Sequence, residues 1–313
     1  MNTYTHAPVL ISVYNRFQHF SQCINSLVQC RGADQTPLFI AIDAPFRDED
    51  VEANNKIRQF AKEIKGFKSV ELFCREKNMG ARGNVLDARK QIFSKYDTII
   101  MSEDDNVFSR FFLQFVNTGL NLYKESENVF SISGYNYPIE RPIGYETDFY
   151  FYKAFSAWGV GYWREKLNAV DFEIKSFWKD FKNPFLWNSF NKTLGDHVFM
   201  HLLHSKIKKQ VYGDTAICCH LFKNDLVSVF PSVSLVRNLG HDGSGIHCGD
   251  TMHSLFSNQA IWEDAEERAP EITYIKNPVC EAAFRKSLQE YFHRPIHKKT
   301  KYYLYYLFHS IFN

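Results

Sequence analysis

The first hundred residues of the chain alternate between two hydrophobic periods. Ala7–Tyr14 (APVLISVY) is a continuous apolar run rich in β-branched residues and reads as a buried strand. Phe17, Phe20, Ile24, Leu27 and Val28 then recur at helical spacing. Pro37–Asp43 (PLFIAID) predicts a second strand, with Ile57, Phe60, Ala61 and Ile64 marking the helix after it. Val70–Cys74 predicts a third strand, followed by a helix through Val85, Leu86, Arg89, Ile92 and Phe93. Thr98–Met101 (TIIM) is the fourth. This alternation predicts a parallel sheet with right-handed crossovers. Further on, the spacing predicts a helix over Ser109–Tyr123 and strands at Val129–Tyr135 and Phe149–Phe155. A mostly helical, aromatic-rich stretch over 156–213 and a last strand at Leu226–Phe230 complete the reading.

Ligands of such sheets sit beyond the carboxyl ends of the strands. The residues there are Asn15-Arg16, Asp43, Arg75 with Asn78-Met79-Gly80, and Glu103-Asp104-Asp105. Singly, Asn15 could cap its helix and Asn78-Met79-Gly80 could be a plain turn. Their recurrence at one edge is what points to a site.

Composition narrows the classes. The chain has 313 residues, and Lys+Arg 37 against Asp+Glu 35 leaves a formal charge of +2. That near-neutral balance argues against a nucleic-acid partner, whose footprint is a strongly basic face. Hydrophobic residues at 45% and charged residues at 23% exclude a disordered or collagenous chain. The unusual figure is 16% aromatic. Seven Cys without a C-x-x-C pair fit reduced thiols in a cytoplasmic protein, and Cys218 and Cys219 read as small buried apolar residues. The N-terminus lacks the basic region and long apolar run of a signal peptide. Nor is there a stretch of about 18 apolar residues to span a bilayer. The expectation is a soluble protein, or one bound to a membrane only at its surface.

The sharpest local signal is Ile99-Ile100-Met101-Ser102-Glu103-Asp104-Asp105. Three consecutive carboxylates at the mouth of a buried strand repel one another, and Mg²⁺ or Mn²⁺ with hard oxygen ligands would relieve that repulsion. A solvated acidic turn is the alternative. No G-x-x-x-x-G-K-[ST] occurs, no G-x-G-x-x-G follows the first strand, and neither G-x-S-x-G nor H-E-x-x-H is present. Nucleotide hydrolases with a P-loop, dinucleotide oxidoreductases and the usual hydrolases are thereby disfavoured. Gly240-His241-Asp242-Gly243-Ser244-Gly245 is glycine-rich but, alone, a weak motif.

Six fragments in order carry a family resemblance: PVLISVYNR (8–16), FIAIDAPFR (39–47), LFCREKNMGARGN (72–84), IIMSEDDNVFSRFFLQF (99–115), FSAWGVGYWREKL (155–167) and VFPSVSLVRNLGHDGSGIHCG (229–249). Together they resemble the GT-A nucleotide-sugar glycosyltransferases, bacterial family-2-like and more distantly like N-acetylglucosaminyltransferase I. The resemblance implies an α/β fold of Rossmann-like type, a mixed, mostly parallel sheet flanked by helices, with a C-terminal helical extension. It implies a catalytic domain over 1–255 and an extension over 256–313. The acidic triplet matches the family's DXD-type motif, so that Asp105 would bind Mn²⁺ or Mg²⁺ and Asp104 would contact the ribose or the metal's waters. Arg16 and Asp43 match positions that hold the base and ribose. Arg75 and Asn78 match a loop lining the nucleotide pocket, Gly80 would allow close backbone approach, and Arg82 would be a further cation near the diphosphate.

An inverting transfer needs a base to take the acceptor's proton. By the match this is Asp214, in Tyr212-Gly213-Asp214 at the start of a helix, where the helix terminus favours the ionised form; capping that helix is its alternative role. Asp196 is the runner-up base. His247 matches a late histidine that approaches the metal, and Trp158 with Gly159 matches the segment beside the donor sugar and acceptor. Core packing is the competing reading for these tryptophans, more so for Trp163. The implied activity is metal-dependent, inverting transfer from a UDP-sugar or other nucleotide sugar to a hydroxyl of a surface polysaccharide or lipid-linked glycan. Two rivals stand beside it: a sugar-nucleotide pyrophosphorylase, whose glycine-rich basic loop is missing after the first strand, and a non-catalytic glycan-binding protein on the same fold.

Residues 294–313 (RPIHKKTKYYLYYLFHSIFN) place a basic cluster before an aromatic run. That composition suits membrane-surface contact at headgroup depth, or a terminal helix docked on the domain.

Overall fold

The computed structural model describes residues 6–175, 184–208, 212–243, 258–265 and 267–292, together with Thr300 and Leu304. The predicted strand–helix alternation is present: β1 (Val9–Val13), α1 (Phe17–Val28), β2 (Pro37–Ile42), α2 (Val51–Glu63), β3 (Ser69–Cys74), α3 (Gly80–Phe93) and β4 (Thr98–Glu103). Then come β5 (Asn106–Phe108), α4 (Phe112–Leu122), β6 (Val129–Ser133), β7 (Phe149–Tyr152), β8 (Val160–Trp163) and α5 (Arg164–Asn168). The remaining elements are α6 (Pro184–Leu194), α7 (Asp196–Lys208), α8 (Gly213–Lys223), β9 (Val227–Pro231), β10 (Val236–Asn238), α9 (Trp262–Ala265) and α10 (Ala282–Phe292).

Eight strands form one sheet in the order β3-β2-β1-β4-β8-β6-β9-β7. β3, β2, β1 and β4 run parallel, β8 is antiparallel to both its neighbours, β6 and β9 are parallel, and β7 closes the edge antiparallel. This is the mixed α/β architecture expected. The chain goes from β1 to β2 on one side, and β4 lies on the other, so the strand order reverses between β1 and β4. That switch point opens a crevice where ligands of open α/β sheets bind.

Alternation along the strands explains why both faces are covered. On β1, Val9, Ile11 and Val13 join one core with Phe20, Ile24 and Leu27 of α1 and Phe112 and Phe115 of α4. Leu10 joins the opposite core with Ala88 and Ile92 of α3 and Leu202, Leu203 and Cys218 from α7 and α8. A strand covered on both faces is apolar at nearly every position, which is why β1, Ser12 apart, reads as a run and not as an alternation.

Several local expectations are corrected. The stretch 156–213 is not mostly helical from its start, because Val160–Trp163 forms β8 in the middle of the sheet. Its four residues run straight into α5, so the two periods merge in the sequence. Gly161 is what lets α4 cover it: a Cβ there would lie 2.6 Å from Val116 Cγ1. The strands predicted to reach Tyr135 and Phe155 end at Ser133 and Tyr152. Leu226–Phe230 is realised as Val227–Pro231 and is not last, since Val236–Asn238 follows and pairs antiparallel with Asn106–Phe108. A three-residue ribbon is stabilised by its tertiary partners and leaves no periodicity to read.

The described residues beyond 255 pack into these cores. Trp262 and Ile272 join the first core. Phe284, Leu288 and Phe292 of α10 pack on Tyr150 and Phe230 at the β7–β9 edge. Asp148 fastens the connecting segment: it is buried, takes Nη2 of Arg268 at 2.8 Å and the backbone N–H of Glu271 at 2.8 Å. The tail 294–313 lies outside the described residues apart from Thr300 and Leu304. Among the described residues no helix is long and apolar enough to cross a membrane.

Candidate active site

At the switch point Arg16 reaches from the end of β1 to the end of β4. Its guanidinium donates to Asp104 Oδ1 and, through Nη1 at 2.8 Å, to Asp105 Oδ2. Both carboxylates are nearly closed to solvent, at 5% and 6% exposure. Burial opposes Arg16's charge, but the two carboxylates together raise its pKa. Burial pushes the Asp104 carboxyl up to about 6 against the pull of Arg16. The other oxygen of Asp105, Oδ1, accepts from Asn238 Nδ2 at 2.7 Å, and the same amide donates to Asn106 Oδ1 at 2.9 Å. The β5–β10 ribbon thus clamps the acidic turn from outside the main sheet.

Gly240 completes the clamp. A Cβ on it would sit 2.1 Å from Asp105 Oδ2 and 3.2 Å from Arg16 Nη1, so only glycine lets the loop lie against this ion pair. The glycine-rich stretch that was weak as a motif has this local purpose. His241 follows, its ring 5.9 Å from that of Trp158, and Asp242 pairs with His19 Nε2 at 3.2 Å.

Asp43 lies 3% exposed at the end of β2. Its Oδ1 accepts from the backbone N–H groups of Ala44 and Met79, both at 2.9 Å, which ties the 78–80 loop to the sheet edge. Asn78 Nδ2 donates to Ala44 O at 2.7 Å, and Gly80 has φ +73° with nothing within 4 Å of an added Cβ. Glycine is therefore required there by conformation, not by crowding. Arg82 stands exposed in the first turn of α3. Arg75 turns toward α3 instead of the crevice, with Nε on Asn84 Oδ1 at 2.8 Å and Nη1 on Asp87 at 2.7 Å. Asn15 does not cap α1; its amide donates to Asp50 at 2.6 Å.

Glu103 had no role of its own in the sequence reading beyond membership of the triplet. Its side chain is exposed in the crevice, where Oε2 accepts from Trp158 Nε1 at 3.0 Å. Protein surrounds the carboxyl on its other sides. Desolvation first, then repulsion from Asp105, Asp214 and Asp104, pushes it up to about 8, with the Trp158 bond opposing. Negative charge is in excess here even with Arg16 in place.

Asp214 lies in the first turn of α8, and its carboxyl lines a cavity of about 300 Å³ shared with Trp158, Tyr135, Phe155 and Phe292. The group is open to solvent through that cavity and enclosed elsewhere, and desolvation pushes it up to about 6 against a hydrogen bond from the Ala157 backbone. Asp214 does not cap α8, whose N-cap is Tyr212. Asp196 begins α7 half-buried, and Leu194 and Val198 beside it line the cavity while Asp196 does not. Gly159 has φ +70° and would put a Cβ 2.8 Å from Phe112, so it is fixed by backbone and packing. Trp163 belongs to the core, under Lys166 Nζ at 3.9 Å from its ring. Cys218 and Cys219 are buried free thiols, as expected. His247 lies outside the described residues.

The donor set at the switch point fits Mg²⁺ or Mn²⁺. Such ions take one or two carboxylates and complete their shell with substrate phosphates and water. Among the described residues no three His, Cys, Asp or Glu side chains converge as a ready-made metal cage. The hard oxygens of Asp104 and Asp105 are the features that suit a cation.

At the level of sequence, no protein-family profile and no curated protein matches the chain. Among solved structures, the fold is similar to mannosyltransferase PcManGT from Pyrobaculum calidifontis in complex with GDP-Man and Mn²⁺ (12% identity, TM-score 0.39, 52% of this chain and 46% of that one). It is also similar to S. aureus TarS (13% identity, TM-score 0.35, 53% of this chain and 29% of that one). The chain thus spans less than half the length of either.

Proposed function

We propose that this protein is a metal-assisted, inverting glycosyltransferase that moves a sugar from a nucleotide-sugar donor, UDP-linked by preference, to a hydroxyl of a surface polysaccharide or lipid-linked glycan. One juxtaposition supports the reading: Asp214 lines a cavity together with Trp158, whose indole N–H donates to Glu103, the neighbour in sequence of Asp104 and Asp105.

The division of labour follows from the side chains. Asp43, Asn78 and the open approach at Gly80 suit the nucleoside, and Arg16 and Arg82 supply positive charge toward its diphosphate. Asp104 and Asp105 would hold the cation, which when bound supplies Lewis-acid stabilisation of charge on the leaving diphosphate. Glu103, fixed by Trp158, offers carboxyl oxygens to hydroxyls of the donor sugar. Asp214 takes the proton from the acceptor hydroxyl as that oxygen bonds to the anomeric carbon and the bond to the diphosphate breaks. At pH 7 a carboxyl titrating near 6 is mostly ionised and still basic enough to be useful.

A thermal-shift panel of nucleotide sugars, with and without Mn²⁺, tests the donor side. The expected result is a cation-dependent rise in Tm with one nucleotide, lost in Asp105→Ala; equal shifts with and without Mn²⁺ would remove the metal from the scheme. The basic and aromatic residues 294–313 support contact with an anionic membrane surface on the cytoplasmic side. Flotation with phosphatidylglycerol liposomes should be lost when residues 295–313 are deleted, and equal partitioning of the two chains would refute that contact.

A further inference from the structure

The acidic centre at the switch point already has a positive charge of its own. Asp105 has both carboxylate oxygens engaged: Oδ1 accepts from Asn238 Nδ2 at 2.7 Å, and Oδ2 takes Arg16 Nη1 at 2.8 Å. The backbone of Gly240 fills the space beside Oδ2, where an added Cβ would lie 2.1 Å away. Asp104 Oδ1 is likewise held by Arg16, through Nη2. A divalent ion seated on these two aspartates needs oxygens that Arg16 occupies.

The two partners of Asp105 differ in how easily they yield. Asn238 is buried in β10, and its amide also donates to Asn106 Oδ1 at 2.9 Å while its own Oδ1 accepts from the Gly240 N–H at 3.0 Å. Arg16 has no second hold. Among the described residues its guanidinium bonds only to Asp104 and Asp105, and its side chain is 21% exposed. Arg75, by contrast, is fixed by Asn84, by Asp87 and over the ring of Phe73. Charge favours an exchange. One guanidinium against two ionised aspartates leaves −1 uncompensated, and burial still pushes Asp104 up to about 6 with Arg16 in place. A divalent ion balances both aspartates. An expelled guanidinium is in turn a strong bidentate partner for phosphate oxygens.

We infer that Arg16 and the divalent cation are alternative occupants of one site: the cation displaces the guanidinium from Asp104 and Asp105, and the released Arg16 pairs with the donor's diphosphate. The exchange rests on the cation and the donor of the reading above, and it is complete on binding, before the transfer step. Arg16 thereby couples two binding events. The cation binds poorly unless an anion receives the guanidinium, and by reciprocity the anion binds poorly unless a cation frees it.

Mn²⁺ binding to the full chain without nucleotide, read from the loss of the free-ion EPR signal, tests the first half. The site counted is the one lost in Asp105→Asn. Arg16→Gln should bind Mn²⁺ about 10-fold or more tightly than the parent, because the competitor and its charge are gone. Titration calorimetry at saturating Mn²⁺ tests the second half, with UDP, GDP and CDP as probes. The diphosphate that the parent binds best should bind Arg16→Gln about 10-fold more weakly. Opposite signs from one substitution are the signature, since a side chain that only braces the fold would weaken both. Arg16→Lys keeps the charge but cannot fork across two carboxylates. It should also bind Mn²⁺ more tightly than the parent, and it serves should Arg16→Gln fold poorly. Equal or weaker Mn²⁺ binding by these variants, or undiminished diphosphate binding by Arg16→Gln, overturns the exchange and leaves the metal-assisted reading standing. A parent that binds no Mn²⁺ at this site even with nucleotide present, or none of the three diphosphates, refutes that reading and the exchange with it.

Discussion

The two halves of the crevice are built in opposite ways. On the β1–β4 side nearly every polar group is already paired: Arg16 with two aspartates, Asp105 also with Asn238, Asp43 with two backbone N–H groups, and Arg75 with Asn84 and Asp87. On the α8–α10 side aromatic walls enclose an unpartnered Tyr135 hydroxyl and a carboxyl whose pKa is raised by desolvation. The first half is preorganised by charge, and the second is shaped by packing. Charged diphosphates need fixed counter-charges that cost no rearrangement at the moment of reaction. A neutral ring gains instead from fitted apolar surface and one or two hydrogen bonds.

The largest effect that would break this contrast comes from Asp214→Asn. Transfer should fall by about 10²–10⁴-fold, the usual contribution of a general base, while donor binding to the paired half is kept. Retained turnover would return the base to Asp196. Next is Gly240→Ala, which forces a Cβ against the Asp105–Arg16 pair. Overpacking of this kind costs about 1–3 kcal/mol; urea unfolding should show that loss together with weaker donor binding, and an unchanged midpoint would mean that the loop yields freely. The smallest is the pH profile. As the proposed base, Asp214 would act in its ionised form, so kcat/KM should fall about tenfold per pH unit below its raised pKa of about 6 and level off above it. A profile flat down to pH 5 would show that this carboxyl does not titrate in the reaction.

Much of the paired half was legible in the linear pattern. Apolar runs ending in Arg16, Asp43, Asn78 and Asp104-Asp105 predict both the strands and the edge where those residues gather, because parallel strands deliver all their C-terminal ends to one side. Arg75 shows the limit of that logic: it sits at the right edge yet its guanidinium serves α3, a choice made by Asn84 and Asp87 across a turn. β8 and the β5–β10 ribbon were missed for a related reason. Four- and three-residue strands carry too few positions for a period, and their pairing is decided by partners far away in the chain.

The sequence by itself determined the sheet's parallel half and the acidic centre at its edge, since both rest on short-range periodicity and strand order. Only the tertiary structure decided that Glu103 and Trp158 bridge the two halves, that Gly240 must be glycine, and that Tyr135, Tyr291 and Phe292 meet around one cavity. The physical reason is that charge at a strand end is written locally, whereas a pocket is the space left between side chains from distant segments. Packing, and not any local preference, brings those segments together.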